Sequence, residues 1–139
     1  MATADMRRAA EHDAQKVINR FFHCLDDGRY EELSDLMAPE GIWHRQGKEL
    51  KGPGMVLEAM RARPASLATR HVVTNLVVDA RADDLVEAAF YVTVYGHSGG
   101  TIPAPLELPL HVSLYRETLT GSADGWHIAE ITSSPTFKR

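Results

Sequence analysis

A chain of 139 residues, 44% hydrophobic and 24% charged, is long enough to bury a core without disulfide staples and has the ordinary mix of a globular protein. A formal net charge of −4 with no basic stripe argues against a nucleic-acid partner, and no apolar run approaches the ~20 residues of a membrane span. The single Cys24 cannot form an internal disulfide, and MATADMRRAAEHDAQ at the start contains no apolar signal core, so a reducing cytoplasm is the expected compartment.

One domain over residues 1–139 is expected, with 1–12 a loose N-terminal extension. Ala14, Val17, Ile18, Phe21, Phe22 and Leu25 then recur at the spacing of one helix face, and Gly28 supplies a left-handed stop. A shorter helix follows, with Leu33, Leu36 and Met37 inward and Pro39 ending it. GIWHRQGKELKG (Gly41–Gly52) reads as a hairpin turning at Gln46-Gly47. GPGMVLEAMRARP (Gly52–Pro64) reads as a third short helix with Pro53 near its start.

Beyond Pro64 the period changes to two. Four strands are expected: Thr69–Ala80, Leu85–Gly96, Leu108–Thr118 and Trp126–Ser134. The second puts Val86, Ala88, Phe90, Val92 and Val94 on one face; the third puts Leu108, Leu110, Val112 and Leu114 there. HSGGTIPAPLE (His97–Glu107), rich in Gly and Pro, reads as a long loop near a mouth or an interface. Helices first and antiparallel strands after predict an α+β fold with helices on one face of a curved sheet. In Thr69–Ala80, Val73 and Val77 share one face and Val72, Leu76 and Val78 the other. A second apolar face predicts a covering partner, most simply a homodimer.

Asp26 falls at the edge of the first helix's apolar face, in its last turn, where both burial and the helix dipole oppose a negative charge. A raised pKa is therefore expected, a mark of functional sites. His71 shares strand parity with Val73, Asn75 and Val77. If that face meets the first helix, Asp26 and His71 come within reach, and an Asp that orients an imidazole makes a general base near neutral pH. His44, beside Trp43, and His97, in phase with Tyr91 and Tyr95, are candidate second proton carriers, and the tyrosines candidate oxyanion donors. The chain has no HExxH, no CxxC and no paired His at ligand spacing, so no metal is expected. It has no GxSxG elbow and no phosphate loop. Cys24, on the apolar helix face, reads as a small core residue.

In this order, FFHCLDDGRYEELSDLMAPEGIW (Phe21–Trp43), KGPGMVLEAM (Lys51–Met60), TRHVVTN (Thr69–Asn75) and DGWHIAEI (Asp124–Ile131) resemble the SnoaL-like branch of the nuclear transport factor 2-like superfamily. The resemblance implies a cone-shaped α+β barrel, with three N-terminal helices packed on a highly curved, mixed but mostly antiparallel sheet. Scytalone dehydratase, steroid Δ-isomerase, polyketide cyclases and a dehydrochlorinase share that fold. Several use an Asp at the end of the first helix with a His opening the first long strand, the positions of Asp26 and His71; His97 resembles a further His one strand later. Where scytalone dehydratase places tyrosines, this chain has Leu25 and His44 or Trp43. The resemblance implies a cofactor-independent dehydratase, isomerase or cyclase acting on a small apolar, cyclic or polycyclic ligand. Asp26, His71, His97 and His44 would carry protons, and Phe22, Trp43, Tyr91, Asn75, Arg70 and Met60 would contact substrate. The superfamily's assembly modules, such as small subunits of ring-hydroxylating dioxygenases, imply the alternative of a non-catalytic ligand-binding or assembly domain.

Overall fold

The computed structural model describes residues 3–139. Helix α1 (Ala4–Asp27) begins where Thr3 Oγ1 accepts the Met6 N–H at 3.1 Å. It ends at Gly28, whose φ of 73° lets its N–H reach the Cys24 carbonyl. Residues 4–12, expected to be loose, are thus the first turns of α1; residues 1–2 of that stretch lie outside the described residues. Ala14, Ile18, Phe21, Phe22, Cys24 and Leu25 form its buried face. α2 (Tyr30–Ser34) is shorter than its apolar residues suggested, because Met37 already opens strand β1 (Met37–Arg45), with Pro39 inside that strand rather than ending a helix. β1 turns through Gln46 and Gly47, both at positive φ, into β2 (Lys48–Lys51). Pro53 then lies in the first turn of α3 (Gly52–Arg61).

Four long strands complete the sheet: β3 (Ala68–Ala82), β4 (Leu85–His97), β5 (His111–Ser122) and β6 (Gly125–Lys138). The order is β2-β1-β6-β5-β4-β3, antiparallel throughout except for the parallel β1–β6 pair. The fold is therefore α+β with a six-stranded mixed sheet, and α1 packs across β3, β4 and β6. No described helix is long and apolar enough to cross a membrane.

Two strand faces differ from expectation. In β3, Thr69, His71 and Val73 turn inward, but one extra residue enters the ladder between Thr74 and Val77. Asn75 sits in that bulge at φ 53°, and the alternation inverts beyond it. Leu76 and Val78 therefore pack on the core while Asn75 and Val77 face out, the reverse of the parity reading. In β5 the inward residues are Ser113, Tyr115, Glu117 and Leu119. Val112 and Leu114 alternate with them, and Leu108 precedes the strand and is 74% exposed. The β4 reading holds: Val86, Ala88, Phe90, Val92 and Val94 are all buried.

The core centres on aromatic rings. Phe21 meets Trp43 at 5.1 Å between centroids, and Phe22 meets Phe90 and Tyr115 edge-on at 5.9 and 5.5 Å. Such pairs add about 0.5–1.5 kcal/mol each beyond the area they bury. They fix α1 against β1, β4 and β5, and so fix where its last turn meets β3.

Candidate active site

The last turn of α1 presents Asp26 to the first inward residues of β3. Asp26 Oδ1 lies 2.6 Å from His71 Nδ1, and Asp26 Oδ2 accepts the backbone N–H of His71 at 2.8 Å. The Thr69 hydroxyl donates to Oδ1 at 2.9 Å. Arg63 Nη2 donates to Thr69 Oγ1 at 3.2 Å, while its Nη1 donates to the Leu25 carbonyl at 3.0 Å and the Tyr30 hydroxyl at 3.1 Å. A guanidinium thus ties the α1 terminus, α2 and the start of β3 together. Both the Asp26 and His71 side chains are 11% exposed.

The expected rise in the Asp26 pKa is reversed. Burial does raise it, as the largest single influence. The hydrogen bonds and charge of His71, with the Thr69 hydroxyl, together outweigh burial and hold the carboxyl below its ordinary value. Asp26 is thus an ionised partner for the imidazole. With Nδ1 bound to a carboxylate, the imidazole keeps its proton there, and Nε2 is the nitrogen left to accept another. The Phe22 ring lies 5.5 Å from that of His71, limiting its tilt.

His71 lines a cavity of about 850 Å³ between the β1–β2 hairpin, the α3–β3 connection and the far ends of β5 and β6. Trp43, Leu25, Val94, Leu110 and Tyr115 give it apolar walls. His111 also lines it, with Nδ1 2.8 Å from the Ser113 hydroxyl. Burial, and then the charge of His71, lower the His111 pKa. Burial raises that of Tyr115.

The other candidates divide. Trp43 is a buried wall of the cavity, and His44 reaches it with Nε2 engaged 2.9 Å from Glu130 Oε2. Phe22 supports His71 from the core side, and Met60 is fully buried on the inner face of α3, outside the cavity lining. His97 is not beside His71: its Nδ1 pairs with Glu107 Oε1 at 3.0 Å in a separate groove of about 200 Å³. Arg70 lines that groove too, with Nη1 on the Thr69 carbonyl. Tyr91 is 47% exposed on the sheet face turned away from the helices, and Asn75 lies in the outward bulge. Neither lines the cavity.

Sequence reasoning passed over Arg45, Arg63, Thr69, His111 and Tyr115. For His111 and Tyr115 the signal was the alternation His111, Ser113, Tyr115, masked by the leucines between them. Cys24 is fully buried, its thiol donating to Glu32, and burial pushes its pKa up to about 11. Among the described residues, no group of three or more His, Cys, Asp or Glu side chains is arranged to hold a metal ion.

None of the curated proteins compared with the chain matches it in sequence. Solved structures do match. A protein from Catenulispora acidiphila, in complex with S-DNPA, is 26% identical, with 93% of this chain and 95% of that chain covered and a TM-score of 0.74. A putative scytalone dehydratase from Novosphingobium aromaticivorans (14% identity, 99% and 91% covered, TM-score 0.84) shares the fold. So does a hexachlorocyclohexane dehydrochlorinase from Novosphingobium barchaimii (15% identity, 99% and 93% covered, TM-score 0.82). The SnoaL-like domain family matches residues 6–132. Nearly the whole chain, from the first turn of α1 to the middle of β6, carries that family's pattern on a fold that these structures share, and the chain belongs to the SnoaL-like family.

Proposed function

We propose that the protein is a lyase, isomerase or cyclase that moves a proton at a carbon next to a carbonyl or leaving group of a cyclic substrate. The observation that carries this reading is the 2.6 Å contact between Asp26 and His71 on the wall of a cavity large enough for a fused-ring compound. His71 Nε2 takes the proton, and Asp26 holds the imidazole and balances its charge as it forms. His111, across the cavity, or the Tyr115 hydroxyl returns a proton to the leaving group or to the developing oxyanion. His97 has no part in this scheme. The side chains present supply both the acceptor and the donor, so the reaction drawn asks nothing of a cofactor. Likeness to a scytalone dehydratase and a dehydrochlorinase, both names for elimination, is consistent with it.

Deuterium incorporation from D₂O into a panel of cyclic ketones and β-hydroxy ketones, followed by NMR, tests the reading. His71→Ala should slow exchange by about 10²–10⁴-fold. Equal rates in wild type and mutant would sink it.

A homodimer is proposed on a separate observation. On the face away from the helices, Val72, Val77, Tyr91 and Phe137 are 43%, 58%, 47% and 69% exposed. Adjoining strands carry Val112 and Leu114 among them. Sedimentation of wild type against Tyr91→Glu checks this: the substitution should shift a dimer toward monomer, and a wild-type monomer ends the idea.

A further inference from the structure

The charge lining the cavity does not match the rest of the chain. In a protein of net charge −4, its wall carries Arg45, Lys48, Arg63 and Lys138 against one carboxylate, Glu49. Asp26, behind the wall, is already held by His71 and Thr69. Among the described residues neither Arg45 nor Arg63 forms an ion pair with a carboxylate. Arg63 gives three of its five N–H groups to the Leu25 carbonyl and the hydroxyls of Tyr30 and Thr69, all neutral acceptors. Arg45 stands over the Trp43 ring at 5.5 Å, its one side-chain hydrogen bond a 3.5 Å contact to Gln46. Both side chains are half-buried. Arg63 lies near enough that its charge, after burial, disfavours the charged form of Arg45. Two guanidinium groups that line one cavity without a carboxylate partner repel each other, and an anion between them would remove that cost.

We infer that the substrate of this cavity is a small organic carboxylate, whose acid group lies against Arg45 and Arg63 while its ring occupies the apolar walls beside His71. The inference rests on the acid–base reading of the same site and narrows its substrate class. It also changes the sequence-based expectation of a mostly apolar ligand. A guanidinium takes a carboxylate through two parallel N–H···O bonds, which a lysine cannot reproduce. Arg45, stacked on Trp43 at the hairpin, is the adaptable contact. Arg63, tied to three elements, is the fixed one. An acid held there has its ring turned toward His71, so binding also orients the proton to be removed.

Calorimetric binding of matched pairs tests the inference: 1-naphthoate with 1-naphthamide, and cyclohexene-1-carboxylate with its amide. Each carboxylate should bind at least about tenfold more tightly than its amide, the scale of a hydrogen-bonded charge, and should weaken as salt is raised. Arg45→Gln should lose that preference, and Arg45→Lys should recover only part of it. Arg45 is chosen because Arg63 also ties three elements together, so its loss could disturb folding. His71→Ala should still bind the carboxylates, which separates the two proposals. Carboxylate binding without exchange defeats the catalytic reading alone. Exchange of neutral ketones with no preference for acids defeats this one alone. Amides binding as well as acids, no acid binding up to millimolar concentration, or Arg45→Gln binding unchanged would each overturn it.

Discussion

His71 is bound twice by one carboxylate: its Nδ1 lies 2.6 Å from Asp26 Oδ1, and its own backbone N–H donates to Asp26 Oδ2 at 2.8 Å. The second contact anchors strand to helix whatever the ring does, so the ring contact alone can respond to protonation.

Asp26→Asn separates these roles. The carboxyl is held below its ordinary value of 3.8, so the stability its ionised form brings is fully present above that value and is lost as pH falls through the lower, folded one. Asn keeps an acceptor for one of the two contacts but no charge. It should cost about 1–3 kcal/mol at pH 7, a difference that shrinks below the ordinary carboxylate range. Urea unfolding at pH 7 and pH 3 measures it, and an equal cost at both would mean that charge plays no part.

His111 offers a direct reading of the charge on His71. Burial first, then His71, hold its imidazole below the ordinary histidine value. His71→Gln removes only the second influence. The pKa of His111 should rise in the variant yet stay below 6.5, because burial remains. Ring-proton chemical shifts followed through a pH titration report it. An unchanged or lower midpoint would show that the two rings do not sense each other.

Asn75 is a backbone device. At φ 53° it sits where Asn and Gly are tolerated and β-branched residues are not. Asn75→Val should destabilise by about 1–3 kcal/mol, whereas Asn75→Gly should be close to neutral. Thermal unfolding of the two variants checks the order; if Val is the better tolerated, the bulge is misplaced.

That one residue also marks where the sequence stops being readable. Strict alternation carries His71 and Val73 to the inner face correctly, and helix phase puts Asp26 at the edge that meets them. A bulge leaves no trace in hydrophobicity, because Val72, Leu76, Val77 and Val78 offer an apolar side whichever way the strand turns. One inserted residue therefore exchanges Val77 for Leu76 in the core and puts Asn75 outside. The β5 face differs for a related reason: Leu110, Val112 and Leu114 form the more apolar set of that segment, yet Ser113, Tyr115 and Glu117 point inward. Arg45 and Arg63 were invisible for another. Next to a turn and a proline, a charged residue reads as solvated, and only the fold, which brings the β1–β2 hairpin and the α3–β3 connection to one cavity, makes the two into its wall.

Glu117 is the least comfortable group in the molecule. It is 2% exposed on the inner face of β5, between Tyr115 and Leu119, beside Ala88 and Ile131 on the neighbouring strands. Neither carboxyl oxygen has a partner among the described residues. Burial alone lifts its pKa from 4.5 to about 8, so at neutral pH the folded protein holds it mostly protonated. The unfolded chain releases that proton near pH 4.5. Between those two values the folded state binds more protons than the unfolded one, and stability falls as pH rises, flattening only above the folded value. At 1.36 kcal/mol per unit, the loss between the unfolded value and pH 7 is about 3 kcal/mol. Glu117→Met keeps the bulk, removes the proton, and should stabilise the protein far more at pH 8 than at pH 5. Chemical unfolding of both proteins at pH 5, 6, 7 and 8 gives the two curves. Parallel curves would mean that the carboxyl reaches solvent or finds a partner in solution, and that Glu117 is not the isolated buried acid the fold makes it.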